Sequence, residues 1–304
     1  MPRTSALRHV ALGAAVAGFV VPVARRRLKL PPPVTSLVAW QTPVAVALAF
    51  RRTRVRDAAV YATQMWAYLV HYELPDDDHE RLLERVRVRY PIAVDRAIGL
   101  GELPTLRLQR ALGRDGEVRP HDVALSAVHW AWFFFPHVAV AWVLVRHPER
   151  FGRSAALVAA VFDVGSGVYY ALPTAPPWWA AEAGELPHVR RIMTEAGERF
   201  WGRYWTRLYD SLSGNQLAAM PSLHFATSVM AARVLSDVGR APGALAWAYT
   251  GLLGFALVYM GEHYVVDLAA GLALAEGVRR AEPAARPLAR ALARFVAARE
   301  PALR

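Results

Sequence analysis

Residues 243–260 read GALAWAYTGLLGFALVYM and contain no charged side chain. This run approaches the ~20 residues that an α-helix needs to cross a bilayer. Five similar runs lie at about 57–71, 122–145, 153–172, 219–237 and 263–279, and two weaker ones at about 8–23 and 34–50. The sequence therefore predicts an all-α polytopic membrane protein, with a six-helix core and one or two N-terminal hydrophobic segments.

The composition narrows the class of protein. The chain has 304 residues, of which 55% are hydrophobic and 20% are charged, and it has no cysteine. The apolar content excludes intrinsic disorder as the main state, and the missing cysteine excludes disulfides and thiolate chemistry. The formal net charge is +11, but the basic residues are concentrated beside the apolar runs. That placement favours contact with anionic lipid head groups over nucleic-acid binding.

The short connections on one side of the predicted membrane are rich in arginine. Successive crossings place four basic groups on the same face, at 51–56, 146–153, 233–240 and 279–280. The positive-inside rule assigns this face to the cytoplasm and the long loops 72–121 and 173–218 to the outer face. Two N-terminal spans would leave Arg25–Lys29 outside as well, so we expect one span and one interfacial segment.

Three short polar segments lie at the outer ends of predicted spans. LPTAPPWW (172–179) closes the third span, MPSLH (220–224) opens the fourth, and EHYVVD (262–267) opens the sixth. Ionisable residues within spans are costly and therefore need an explanation. Because all three segments fall on one face, we expect them to meet at a single site at the outer membrane surface.

The third segment predicts an activated imidazole. His263 and Asp267 are four residues apart, so they share one face of a helix. A carboxylate that is bonded to one imidazole nitrogen makes the other nitrogen a better nucleophile. An alternative is a metal site, since the residue types of His224, Glu262, His263 and Asp267 suit one.

The second segment predicts an anion site. Pro221 suits the first turn of a helix, where its missing N–H is harmless. The amides around Ser222 and Leu223, together with the helix dipole, would then bind an anion beside His224. Two histidines and an amide cradle together suit phosphoryl transfer.

Polar side chains inside the predicted spans also need partners. Asp163 is expected to pair with a polar group inside the bundle. His129 and His137 are eight residues apart, so they can share one helix face, and packing or interfacial roles are expected for both.

The motifs resemble those of the type 2 phosphatidic acid phosphatase (PAP2) superfamily. MPSLHFAT and GEHYVVD are similar to its second and third motifs, and YALPTAPPWW (170–179) resembles the first motif of its inositol phosphorylceramide synthase-like branch. The resemblance covers about residues 57–280. It implies that His263 is the nucleophile that forms a phosphohistidine, that His224 is the acid and later the base, and that Asp267 orients the nucleophile. Such enzymes need no metal or cofactor.

Two departures from the family pattern concern phosphate binding. The family's usual first motif supplies a lysine and an arginine, whereas 168–179 contains neither, and Leu257 stands where an arginine is usual. Compensating cations are expected from the outer loop, at Arg190, Arg191 or Arg199. The predicted substrate-binding residues are Ser222, Asn215, Thr174 and Arg191.

A phosphodiester carries less charge than a monoester, so the missing cations favour a phosphotransferase. We expect it to move a phosphoryl or phospho-alcohol group, with inositol phosphate as one candidate, from a lipid-type donor. The alternative is a lipid phosphate phosphatase that uses water, and a less favoured one is a membrane transporter or lipid-binding protein. The expected partners are a lipid phosphate or phospholipid substrate and membrane lipids.

The resulting layout has three regions. Residues 1–56 are expected to form an N-terminal membrane anchor or interfacial segment, 57–280 a catalytic membrane domain, and 281–304 a basic amphipathic cytoplasmic tail. The protein is expected in the plasma membrane, with its active site at the outer face.

Overall fold

The computed structural model describes residues 2–202, 204–205 and 214–299 of the chain. In these residues the regular structure is helical, apart from isolated bridges that pair Thr174 with Arg87 and with Ala218. The helices are α1 Pro2–Leu28, α2 Pro32–Trp40, α3 Thr42–Ala49, α4 Arg54–Glu73, α5 His79–Arg85, α6 Arg89–Ile98, α7 Pro104–Leu112, α8 Pro120–Ala131, α9 Phe135–Arg146, α10 Pro148–Ala171, α11 Pro177–Glu182, α12 Ile192–Trp201, α13 Leu223–Val238, α14 Arg240–Tyr259 and α15 Val265–Ala297. The prediction of an all-α polytopic fold is confirmed.

Several helices have the length and apolarity of membrane spans. Of the described residues, Ala6–Leu28 in α1 and the whole of α10 and α14 are long and apolar enough to cross a membrane. The pair α8 and α9 would add a fourth crossing, bent by 50°. Pro136 lies in the first turn of α9, where it cannot continue the hydrogen-bond ladder of α8. The remaining predicted spans coincide with α4, α13 and α15. Of these, α13 is too short at 16 residues, and α4 and α15 are long enough but not sufficiently apolar.

The helix α13 is the central helix of the bundle, and most of its side chains are buried against α10, α14 and α15. Two glycines allow the neighbours to approach its N-terminal end. A Cβ atom at Gly165 of α10 would clash with Leu223, and one at Gly271 of α15 would lie 2.7 Å from Ser222 O. The start of α13, which carries His224, is therefore held closely between α10 and α15.

The N-terminal helices pack beside α4. Arg25, near the end of α1, lies 2.7 Å from Asp77 and 3.2 Å from Glu73, at the C-terminal end of α4. At the other end of α4, Arg56 donates to Ala47 O of α3 at 3.0 Å. Hence α1 runs parallel to α4, and α2 and α3 return between their ends. Asp77 and Glu73 offset the charge of Arg25 at this end of α1. Among the N-terminal helices that the structure describes, α1 has the length and apolarity of a membrane span, and the arrangement of one span and one interfacial segment stays a prediction.

Two pairs of polar side chains contact each other inside the bundle. Gln64 Nε2 donates to Asp163 Oδ2 at 2.8 Å, which confirms the expected pairing of that carboxylate. Tyr61 Oη lies 3.0 Å from His137 Nδ1. At the C-terminal end, α15 continues unbroken to Ala297, so the predicted tail starts inside a helix.

Candidate active site

The helix α13 begins inside the second motif. Ser222 is its N-cap, and Pro221 precedes this cap instead of occupying the first turn as expected. The amide of Ser222 donates to Asp267 O at 3.0 Å, and the amide of Leu223 donates to Tyr169 Oη at 3.1 Å. The predicted amide cradle is wrong for these two groups, because they already fasten α13 to α15 and α10.

The helix α15 begins inside the third motif, and two buried carboxylates organise its first turn. Asp267 Oδ2 accepts a hydrogen bond from Tyr264 N at 2.9 Å and lies 3.3 Å from His263 Nδ1. Asp95, from α6 in the loop 72–121, accepts hydrogen bonds from the first two amides of α15, both at 2.9 Å. Burial raises the pKa of Asp95, and the two amide hydrogen bonds oppose that rise. The loop 72–121 thus fixes the helix start that follows the candidate nucleophile.

The two motif histidines are in direct contact. His263 Nε2 lies 3.1 Å from His224 Nδ1. Since His263 Nδ1 faces Asp267, Nε2 is the nitrogen that carries the lone pair in the neutral ring. The convergence of the second and third motifs, expected from the sequence, is confirmed. The three side chains form a line in which each one contacts the next.

This line ends at a cavity of about 190 Å³. Its polar lining includes His224, His263, Arg191, Glu262 and Asn215. Aromatic side chains from α4, the break between α8 and α9, and α10 form much of the remaining wall: Tyr68, Tyr72, Trp132, Phe133, Phe162 and Tyr169. A cavity that combines reactive polar groups with aromatic walls suits a substrate with a polar and an apolar part.

Arg191 is the expected cation that the structure places in this cavity. Its guanidinium lies 3.7 Å from the ring centre of Trp178, and its Nε lies 3.5 Å from Glu262 Oε1. The other two candidates point elsewhere: Arg190 is paired with a carboxylate of α12, and Arg199 donates to a backbone carbonyl. Arg191 is therefore the one of the three in position to bind phosphate.

Two other polar groups at the cavity are buried. Asn215 is 2% exposed, and its Oδ1 accepts from Leu217 N at 3.0 Å. Its Nδ2 has no hydrogen-bond partner among the residues that the structure describes. Burial also raises the pKa of Glu262, while the positive charge of Arg191 opposes that rise. A donor and an acceptor thus face the same small space.

Thr174 and Ser222, both predicted to bind substrate, are fully buried. Within the described part of the chain, neither lines the cavity. Thr174 Oγ1 lies 2.9 Å from Tyr90 Oη, and its backbone pairs with Leu217 and Ala219. The expected direct contact with substrate is therefore not supported for these two residues. Thr174 instead ties the first motif to the segment before α13.

A third histidine adjoins the pair. The ring centre of His129 lies 4.8 Å from that of His224, and its side chain is 1% exposed. Neither ring nitrogen has a hydrogen-bond partner among the described residues. The ring centre of Trp132, at the bend after α8, lies 4.1 Å from the ring centre of His224. The sequence placed His129 on a helix face but did not predict its contact with His224, because that contact depends on how α8 lies relative to α13.

The arrangement of the acidic and histidine side chains is linear. Among the described residues, no three His, Asp or Glu side chains are grouped so that they could hold a metal ion. His224, His263 and Asp267 contact one another in sequence, whereas metal ligands surround a common centre. The metal site considered from residue types lacks that geometry here.

Comparisons with known proteins agree with the motifs. A family model described as the PAP2 superfamily matches residues 93–278. The chain is 32% identical over 138 residues to a protein of Bacteroides thetaiotaomicron named phosphoinositol dihydroceramide synthase. That match covers 43% of this chain and 45% of the relative, so the chain spans less than half of that protein's length. No solved structure matches the chain.

Proposed function

Because this chain belongs to the PAP2 superfamily, we propose that it is a membrane phosphotransferase acting on a lipid donor. It moves a phosphoryl or phospho-alcohol group to an alcohol through a phosphohistidine. The contacts from Asp267 to His263 to His224, beside a cavity with both polar and aromatic lining, carry this proposal. The similarity to a protein named phosphoinositol dihydroceramide synthase makes inositol phosphate a candidate for the transferred group.

The first step forms the covalent intermediate. His263 Nε2 attacks phosphorus and forms an N–P bond, while the P–O bond to the lipid breaks and the leaving oxygen takes a proton from His224. Asp267 holds the Nδ1–H of His263 and stabilises the charge on the ring. Arg191 and Asn215 Nδ2 donate hydrogen bonds to the phosphate oxygens that do not react.

The second step releases the product. The acceptor hydroxyl attacks phosphorus and gives its proton to His224, and the N–P bond breaks, so both histidines return to their starting states. No metal ion is required in either step. With water as the acceptor, the same steps would make the protein a lipid phosphate phosphatase.

Substrate binding must separate the two histidines. They lie 3.1 Å apart, whereas an attacking nitrogen, phosphorus, leaving oxygen and acid placed in line need about 6 Å between the nitrogens. His224 packs against the rings of His129 and Trp132, so these aromatic neighbours limit how its ring can turn.

Transfer of labelled head groups tests this function. The purified protein is incubated with lipids labelled in the phosphate, with and without myo-inositol or a diacylglycerol-type acceptor. A transferase moves the label to the alcohol, whereas a phosphatase releases inorganic phosphate. His263→Ala is the inactive control, and label transfer at the wild-type rate in this variant would contradict the proposed nucleophile.

We further propose that the protein lies in the plasma membrane with its cavity at the outer face and residues 281–304 in the cytoplasm. Residues 57–280 are the catalytic domain, and 1–56 anchor it. The chain has no cysteine, so single cysteines report sidedness cleanly. Asp115→Cys and Arg290→Cys are both at exposed positions. In intact cells, an impermeant maleimide should label the former and spare the latter; the reverse pattern would invert the topology.

A further inference from the structure

Apart from the histidines, the side chains that line the cavity in the described part of the chain carry one positive and one negative charge. Among the lining residues that the structure describes, Arg191 is the one arginine or lysine and Glu262 is the one carboxylate. A phosphomonoester carries about −1.5 to −2 charges near neutral pH, whereas a phosphodiester carries a single negative charge. One arginine therefore matches a phosphodiester. The second charge of a monoester would face Glu262 with no further arginine or lysine in the lining.

Glu262 is held in place by several segments. Its amide donates to Leu257 O at 3.1 Å, and the carbonyl of Gly261 accepts from Trp178 N at 3.2 Å. Gly261 has a φ of 81°, a left-handed conformation that favours glycine. The carboxylate lies 3.5 Å from the Nε of Arg191, which is stacked on Trp178. Substrate thus meets a fixed carboxylate beside the nucleophile.

We propose that Glu262 makes this site selective for a phosphodiester donor that carries a polyol head group. A carboxylate has about four acceptor positions, which the side chains of Arg191 and Trp178 do not fill, so hydroxyls of the polyol can donate to it. The same carboxylate repels the second negative charge of a phosphomonoester. This inference rests on the proposed function and narrows its donor.

The test compares two lipids with identical, labelled acyl chains. Phosphatidylinositol serves as the diester and phosphatidic acid as the monoester, and release of diacylglycerol is measured for wild type and Glu262→Gln. Wild type should prefer the diester in kcat/KM. Glu262→Gln keeps the shape but removes the charge, so the preference should fall about tenfold or more. Glu262→Asp should retain the preference, and Glu182→Gln, at an exposed position of α11, should leave it unchanged.

The outcomes separate the two proposals. An unchanged ratio in Glu262→Gln, with normal wild-type turnover, overturns the selectivity and leaves the phosphotransferase intact. Failure of wild type to cleave either lipid overturns the proposed function. If Glu262→Gln does not fold, the selectivity is tested by inhibition of the wild type. Glycerophosphoinositol, a phosphodiester, should then inhibit more strongly than inositol phosphate, a phosphomonoester. Equal or stronger inhibition by the monoester overturns the inference.

Discussion

Replacing Asp95 by alanine tests how the loop 72–121 supports the candidate active site. Its fully buried carboxylate accepts hydrogen bonds at 2.9 Å from the amides of Val265 and Val266. In Asp95→Ala these amides lose their acceptor. An unsatisfied buried polar group costs about 1–3 kcal/mol, and a helix N-cap contributes about 1 kcal/mol, so we expect a loss of about 2–4 kcal/mol in stability.

The same change should reduce turnover more than binding. The first turn of α15 directs His263 and Asp267, and a displacement of about 1 Å in a reacting group costs on the order of 100-fold in rate. We therefore expect kcat to fall tenfold to a hundredfold, by the order of magnitude of that effect, with little change in KM. Asp95→Asn keeps one acceptor oxygen and should show a smaller loss of both stability and turnover.

Thermal unfolding in detergent, followed by tryptophan fluorescence, measures the stability change, and lipid turnover is assayed on the same preparations. Asp115→Ala is the matched control, because this aspartate is exposed in the loop between α7 and α8. We expect the control to match wild type and Asp95→Ala to unfold several degrees lower. An Asp95→Ala variant with wild-type midpoint and turnover would refute the view that this carboxylate secures α15.

Four further predictions concern chemistry and pH. His263→Ala should abolish turnover, and an acid-labile, base-stable phosphohistidine should be trapped in wild type but not in this variant. His224→Ala should slow cleavage of lipids by about 10²–10⁴-fold yet spare the first-step burst with a p-nitrophenyl phosphodiester, whose phenolate leaves without a proton; equal losses would assign His224 to phosphate binding instead. Strong chelators should leave activity within about twofold, since no Lewis acid takes part, and full loss restored by one divalent ion would contradict this. Burial raises the pKa of Asp95 from 3.8, so its protonation adds stability that is fully present below that value and is lost as pH rises through the folded pKa, while the hydrogen bonds to Val265 and Val266 remain. The thermal midpoint of wild type relative to Asp95→Asn should therefore fall between acidic and neutral pH, and a constant difference would contradict the assignment.

Local rules in the sequence were sufficient for the helices and for the reactive side chains. Long apolar runs favour helices because a bilayer leaves no other partner for backbone amides. The six predicted runs are largely helical in the structure, one of them as the two helices α8 and α9. The four-residue spacing of His263 and Asp267 predicted a contact between them, and the contact is present at 3.3 Å. The predicted shared helix face is wrong, because His263 precedes the N-cap Tyr264 and only Asp267 lies in the first turn of α15. The helices and this contact depend on neighbours within one or two turns, so they are readable without knowledge of the fold.

Contacts between distant segments were decided only by tertiary structure. The amides of Ser222 and Leu223 looked available for an anion, but Asp267 and Tyr169 engage them. The sequence analysis named three loop arginines as candidates for phosphate binding, and of these Arg191 lines the cavity.

The same holds for the groups that surround the reacting histidines. Asp95 reaches α15 from a loop 170 residues away in sequence, and the ring of His129 in α8 lies 4.8 Å from that of His224 in α13. A helix repeat fixes which side chains share a face, but not which other helix that face meets or at what depth. Those are set by packing across the whole bundle, where burial and hydrogen-bond satisfaction must hold for every segment at once.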